Sequence, residues 1–300
     1  MFYKIENINV ELSQNVLNLI DKDEKNFKNQ IKKLSEKIIA KQNVKLILVS
    51  GPSCAGKTTF SNILKDELSI KGYKTISIQM DNFFISRAKR KRLANGEEDF
   101  ESTNIINFKL MKRCFKQLFK HKKAMFPIYD FEKCMSIEKQ LKIEIDNKTF
   151  IIFEGLHALN PLVYSQFDTK DIFKVFISNE NGFSFENKII SPREMRFIRR
   201  IVRDEEKRKT KAQETYKLWH NIIENEDKFV FPNKNVADFI VNSSYSYEIA
   251  LYKQELAKIK KENSELFKQV PALNIAQKVK SLNKKYVPQN SLMWEFIQKN

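Results

Sequence analysis

KLILVSGPSCAGKTT, residues 45–59, sets a nearly continuous apolar run directly before a loop bounded by glycines. Lys45–Ser50 reads as a strand buried on both faces, the pattern of a parallel sheet. Gly51, Pro52, Ser53, Cys54, Ala55, Gly56, Lys57 and Thr58 then match G-x-x-x-x-G-K-[ST] in full, and Thr59 carries the chain into a helical pattern. In such a loop the backbone N–H groups wrap phosphate oxygens and the glycines permit the turns. The lysine reaches the β- and γ-phosphates, and the Ser/Thr hydroxyl ligates magnesium. The helix that follows aims its positive end at the same anion. With six glycines in 300 residues, a chance match is expected on the order of once in a thousand such sequences. The stretch therefore predicts ATP as co-substrate and a cofactor ion, Mg2+, at Thr58.

Outward from this loop, strand and helix patterns alternate. After Gly56 the helical period runs to Gly72; Thr75–Met80, Phe150–Phe153, Ile172–Ile177 and Ala237–Val241 read as further strands. Helical segments fall around 105–122, 193–224 and 244–266. Alternation of this kind predicts an α/β fold, a P-loop NTPase-type parallel sheet with helices on both faces. Residues 125–146 break the pattern with Pro127, aromatics and a period-two run, and read as a small β-rich excursion. The first 40 residues read as helix throughout. The expected organisation is a helical lead-in (1–43), a P-loop kinase-like domain (44–265) and a C-terminal helical appendage (266–300) ending in an apolar anchor at Leu292–Ile297.

Composition narrows the class. No stretch approaches the roughly 18 apolar residues of a membrane span, and the N-terminus lacks a basic region followed by an apolar one. Cys54, Cys114 and Cys134 lie far apart with no metal or disulfide spacing, so a cytoplasmic protein is expected. The net charge of +17 is spread along the chain without an RNA-binding signature, so nucleic acid is not expected as a partner. A homo-oligomer is left open.

In doubly wound sheets, ligands gather at the carboxyl ends of strands. Asp81 follows the second strand and Glu154 the third, which brings two acids to the edge that carries the loop. Phosphoryl transfer to a hydroxyl needs a base and a metal-positioning carboxylate. Asp81 fits the first role and Glu154 the second.

An ordered set of blocks carries a resemblance: GPSCAGKTT (51–59), MDNFF (80–84), DFES (99–102), PIYDF (127–131), FEGLHALN (153–160), RFIRRIVRD (196–204) and ADFIVNSSYSYEIA (237–250). Over about 44–253 the chain resembles the uridine kinase/phosphoribulokinase family of P-loop kinases, most closely the bacterial uridine kinase-like nucleoside kinases. The resemblance implies that Asp81 is the catalytic aspartate and Glu154 the metal-associated acid. It implies that Glu101 holds the ribose hydroxyls, Tyr129 lies near the nucleobase and Arg200 is directed at the sugar. Arg203 and Arg208 become lid arginines on the ATP phosphates. Arg196, Arg199, Arg200 and Arg203 share one helix face by their spacing. Two positions depart from the family: Cys134 stands where a base-reading histidine is expected, and the lid's Arg-Gly pair reads Arg208-Lys209.

The expected function is transfer of the ATP γ-phosphoryl to the 5′-hydroxyl of a nucleoside. Two alternatives stay open: a kinase of the same fold with another small acceptor, as in phosphoribulokinase, and an ATP-binding regulator that has lost catalysis and associates with RNA.

Overall fold

The computed structural model describes residues 1–90, 102–167 and 172–299. The chain starts with a short strand, β1 (Phe2–Lys4), and two helices, α1 (Ile5–Gln14) and α2 (Val16–Ala40). β2 (Leu46–Ser50), α3 (Lys57–Ile70) and β3 (Lys74–Gln79) form the first strand–helix–strand unit. Next come a 3-10 turn, Met80–Phe83, then α4 (Phe108–His121), the hairpin β4 (Lys123–Asp130) and β5 (Met135–Glu144), β6 (Thr149–Glu154) and the short α5 (Pro161–Tyr164). β7 (Ile172–Ser178) leads into a second hairpin, β8 (Gly182–Phe185) and β9 (Lys188–Ile190). α6 (Pro192–Arg203) runs through a π-helical turn, Asp204–Arg208, toward α7 (Ala212–Phe229) and β10 (Phe239–Asn242). α8 (Glu248–Glu262), α9 (Ser264–Gln269) and α10 (Pro271–Ala276) close the regular structure, followed by 3-10 turns at Lys284–Tyr286 and Leu292–Glu295.

The five strands expected from sequence make one sheet in the order β10-β7-β2-β6-β3, and every pairing in it is parallel. β2 lies at its centre and is buried along its whole length. Its alternate side chains serve two cores: Ile47 and Val49 pack with Phe60 and Leu64 of α3, while Leu46 and Leu48 join Met111 and Phe115 of α4. Period-two alternation thus supplies both faces of a doubly covered sheet. Burial of large apolar side chains at about 1.5–3 kcal/mol each makes these two layers the main driving force for the fold. The β-rich excursion is the antiparallel hairpin β4–β5, tied to the end of β3 through Asn82, whose Oδ1 accepts from the Tyr129 N–H at 3.1 Å.

Three expectations need correction. The first residues are not helical throughout: Phe2–Lys4 pairs in parallel with β8, in a three-stranded sheet with β9. The helix expected over 193–224 is two helices, because the chain leaves α6 through the π-turn and Lys209 adopts φ +54°. That left-handed conformation disfavours an L side chain by roughly 1–2 kcal/mol and explains why glycine suits the position. Beyond Ala276 the chain runs in turns rather than helix. The residues at both ends are built into the core: Ile31, Leu34 and Ile38 of α2 and Leu292, Met293, Phe296 and Ile297 of the last turn belong to the cluster that packs on α3. No described helix is long and apolar enough to cross a membrane.

Candidate active site

The loop Gly51–Gly56 connects the end of β2 to the start of α3, and two glycines give it its shape. A Cβ on Gly51 would lie 2.0 Å from the Ile177 carbonyl oxygen, so the loop presses on β7 where any side chain would collide. Gly56 holds φ +94°, the left-handed turn from which α3 departs. Lys57, first residue of that helix, folds its Nζ back onto the Gly51 and Pro52 carbonyls at 2.9 and 3.0 Å.

Register brings the two acids to this loop. Gln79 of β3 pairs with Glu154 of β6, and Glu154 pairs with Val49 of β2. A Cβ on Gly155 would fall 2.4 Å from Met80 Cβ, a close approach that lets the 3-10 turn bearing Asp81 sit against the end of β6. The Thr58 hydroxyl stands 3.4 Å from Glu154 Oε2. Burial raises the carboxyl pKa of Asp81, against the opposing charges of Lys57 and Arg90. Burial likewise raises that of Glu154, with Lys57 and the Thr58 hydroxyl pulling the other way.

The helix α6 supplies the opposite wall. Ser191 caps it, its hydroxyl accepting from the Glu194 N–H while the Glu194 carboxylate accepts from the Ser191 N–H. This capping box fixes where the helix starts and so where its arginines fall. Arg200 donates to Ser53 Oγ at 2.7 Å. Arg200, Arg203 and Arg208 all surround the carboxylate of buried Asp204, at 3.5, 2.7 and 3.7 Å. Arg196 and Arg199, one turn earlier, are 2% and 0% exposed. Arg196 pairs with Glu226 at 2.7 Å and donates to the Ser53 carbonyl at 3.2 Å. Arg199 pairs with Glu248 at 2.6 Å and donates to the Cys54 carbonyl at 3.2 Å. Glu226 also accepts from the Ser53 N–H at 2.6 Å, so a single ion pair holds one loop residue by both its N–H and its carbonyl.

These groups enclose a cleft of about 480 Å³ lined, among others, by Lys57, Thr58, Asp81, Glu154, Arg200, Arg203 and Arg208. Of the loop positions expected to bind nucleotide, Ser53, Cys54, Gly56, Lys57 and Thr58 line it. Tyr129 is buried behind the wall, its ring 5.8 Å from Phe84 and 4.9 Å from Phe131, and it is Phe84 and Phe131 that face the cleft. The Tyr129 hydroxyl accepts from Arg90 at 2.9 Å. Glu101 lies outside the described residues.

Four acids went unnoticed in the sequence reading. Asp204 had a signal, since it stands four residues after Arg200 on the arginine face. Glu226 continues the buried stripe of Trp219 and Ile222 along α7, an acid on an apolar face. Glu248 lies within the block ADFIVNSSYSYEIA. Glu295 sits inside the apolar anchor and lines the cleft.

The comparison with known proteins agrees with this geometry. The profile described as "Phosphoribulokinase / Uridine kinase family" matches residues 46–250, which include the loop, both strand-end acids and α6. A uridine kinase of Ureaplasma parvum is 28% identical over 208 residues, covering 69% of this chain and 92% of its own length. A uridine kinase of Lactiplantibacillus plantarum is 27% identical over 207 residues, covering 69% of this chain and 90% of its own. One from Mycoplasma genitalium is 28% identical over 207 residues, covering 68% and 88%. A family match over more than half the chain, centred on a complete phosphate loop with two acids at neighbouring strand ends, leads to one conclusion: the chain belongs to the Phosphoribulokinase / Uridine kinase family of ATP-dependent phosphotransferases.

Proposed function

We propose that the protein phosphorylates the 5′-hydroxyl of a nucleoside, with residues 44–265 as the catalytic unit braced by the segments at either end. The observation that carries this reading is the meeting of Asp81 and Glu154 with Lys57 and Thr58 in one cleft. ATP phosphates lie along the loop amides, with Lys57 turning from the Gly51 and Pro52 carbonyls to the transferring phosphoryl. Thr58 and Glu154 offer two oxygens on the open side of the loop. Magnesium takes one or two protein oxygens and completes its octahedron with water and phosphate, so the donor set fits it; when bound it neutralises charge on the phosphates.

Asp81 is the base. The acceptor hydroxyl oxygen forms its bond to the γ-phosphorus as the bond to the bridging oxygen breaks; ADP leaves, and the hydroxyl proton passes to the Asp81 carboxylate. A carboxyl raised by burial is better matched to that proton than an ordinary one. Arg200, Arg203 and Arg208 present fixed positive charge to the equatorial oxygens, and Asp204 sets their spacing. The homologous uridine kinases support a pyrimidine nucleoside as acceptor.

A sugar phosphate is the second reading, favoured by one observation at the acceptor end. Cys134 lies in the β4–β5 turn at φ +52° with its thiol donating to the Phe131 carbonyl, and it offers the base no imidazole donor. ADP release measured with uridine, cytidine, adenosine, guanosine, inosine and ribulose 5-phosphate separates the two. Formation of a nucleoside 5′-monophosphate is the expected result. Turnover confined to ribulose 5-phosphate would refute the nucleoside assignment.

A further inference from the structure

The family match ends at residue 250, yet the chain beyond it returns to the nucleotide cleft. Leu292, Met293, Phe296 and Ile297 are fully buried and seat the last turn on the core. Leu292 reaches the loop itself: a Cβ on Gly56 would fall 2.9 Å from its Cδ1. From this seat Glu295 enters the cleft and its Oε2 accepts from the Thr59 N–H at 3.0 Å. That N–H is one of the first-turn donors a helix cannot satisfy internally. In a phosphate loop such donors are what the nucleotide's oxygens take. A side-chain anion therefore sits where a ligand anion is to bind.

The same segment is fastened to the lid. Lys207 Nζ donates to the Trp294 carbonyl and, at 3.2 Å, to that of Glu295. Glu206 accepts from the Gln298 N–H and from Lys284 Nζ, both at 2.6 Å. Glu206 and Lys207 belong to the π-turn that joins Arg203 to Arg208. Residues 284–298 thus bridge the phosphate loop and the turn carrying the lid arginines.

We propose that residues 284–298 form a strap across the nucleotide site, in which Glu295 competes with the ATP phosphates for the Thr59 N–H. ATP binds as Glu295 yields that amide, and the lid, tied to the strap through Glu206 and Lys207, moves with it. Glu295 is then an affinity-setting residue for the nucleotide, one that lowers occupancy when ATP is scarce. This rests on the kinase reading above.

Calorimetric titration of the full chain with ATP, with magnesium and again in EDTA, tests the strap. Glu295→Gln keeps the reach and removes the charge. It is expected to tighten ATP binding about fivefold to tenfold in both buffers, the difference between a charge-assisted and a neutral hydrogen bond. Lys207→Met, remote from the loop, is expected to tighten it by a smaller factor. The double variant should fall short of the product of the two, because both act through one segment. Equal affinity in wild type and both single variants overturns the strap alone. Weaker binding in Glu295→Gln makes Glu295 a ligand of nucleotide or metal and overturns it as well. Failure of every protein to bind ATP removes the kinase reading together with the strap.

Discussion

The two sides of the phosphate loop are built from the same residue type to opposite ends. At about 100° per residue, Arg196, Arg199, Arg200 and Arg203 fall within an arc of about 100° on α6, so they share one face as their spacing predicts. Within it Arg199 and Arg200 stand at opposite edges, and Arg200 and Arg203 lie one turn, about 6 Å, beyond Arg196 and Arg199 respectively. Behind the loop, Arg196 and Arg199 are closed off from water on Glu226 and Glu248, and each also donates to one loop carbonyl, of Ser53 and Cys54 respectively. In front, Arg200 and Arg203 open onto the cleft around Asp204. Charge behind the loop is spent on shape, and charge in front is left for a ligand. Substitutions behind should therefore register first in stability, and substitutions in front in turnover.

The strongest way to break this division is Lys57→Ala. Among the described residues, the Lys57 ammonium hydrogen-bonds two loop carbonyls, and it stands at the cleft. Removing a charge that stabilises the transferring phosphoryl is expected to cost on the order of 10³–10⁵ in kcat, the scale of other cationic groups in that position. Thermal melting should move little. A folded Lys57→Ala protein with near-wild-type kcat would end the assignment.

Asp81→Asn comes next. Loss of a general base typically costs about 10²–10⁴ in rate, and ATP affinity should hold within a few-fold because Asp81 lies at a different strand end from the loop. Its pKa is raised from the ordinary value of 3.8 by burial, so the base is lost as pH falls through that raised value, and the acid limb of kcat sits higher than for a free aspartate. Glu154 is raised too, and the limb belongs to the pair; only the part absent in Asp81→Asn is assigned to Asp81. The stability sign is opposite to that of a salt-bridged acid. A carboxyl with a raised folded pKa contributes stability below its unfolded value and loses it as pH rises through the folded one. Asp81→Asn should then melt no lower than wild type at neutral pH. A rate loss under tenfold would make Asp81 a strand-end carboxylate only.

Arg199→Ala tests the other side. It leaves Glu248 buried without its partner, frees the Cys54 and Ser243 carbonyls and removes the guanidinium from over the Phe296 ring. Breaking a buried pair by deleting one partner costs about 3–5 kcal/mol, and a value near the lower end is expected, as water can reach a relaxed site. Urea unfolding reads this directly. Unchanged stability with a large fall in kcat would place Arg199 with the front group and dissolve the comparison.

Legibility in the sequence follows the same division. The front of the loop is local chemistry: motif spacing, a strand ending in an acid, arginines at helical intervals. Each is complete within a few residues, and Lys57, Thr58, Asp81, Glu154, Arg200, Arg203 and Arg208 duly line one cleft. The back is made across distance. Ser53 meets Glu226 over 173 residues of chain, and in the cleft itself Thr59 meets Glu295 in the same way, over 236. No periodicity announces such pairs, and an acid within an apolar stripe is the one trace they leave. Tyr129 shows the intermediate case: whether it or Phe84 and Phe131 would form the wall of the cleft depends on how the hairpin folds over Asn82.

The smallest expected effect lies with the lid arginines and sharpens the comparison most, because Arg203 and Arg208 stand at the front yet share a buried acid. Arg203 holds Asp204 at 2.7 Å and is mostly covered, whereas Arg208 is 3.7 Å away and more than half exposed. Arg203→Ala is therefore expected to lower kcat by about 10–10² and Arg208→Ala by less, about tenfold, worth roughly 1.4–2.7 kcal/mol and 1.4 kcal/mol of transition-state stabilisation. Both should reduce kcat more than they weaken ATP binding, since lid contacts become complete only on closure. Arg203→Ala should also lower the melting temperature slightly, because Asp204 keeps Thr215 and the other arginines as partners. Comparison of ATP dissociation constants with single-turnover rates decides the matter. Equal losses in affinity with kcat unchanged would make both arginines ground-state binders, and the front of the loop would then be a binding surface without a lid.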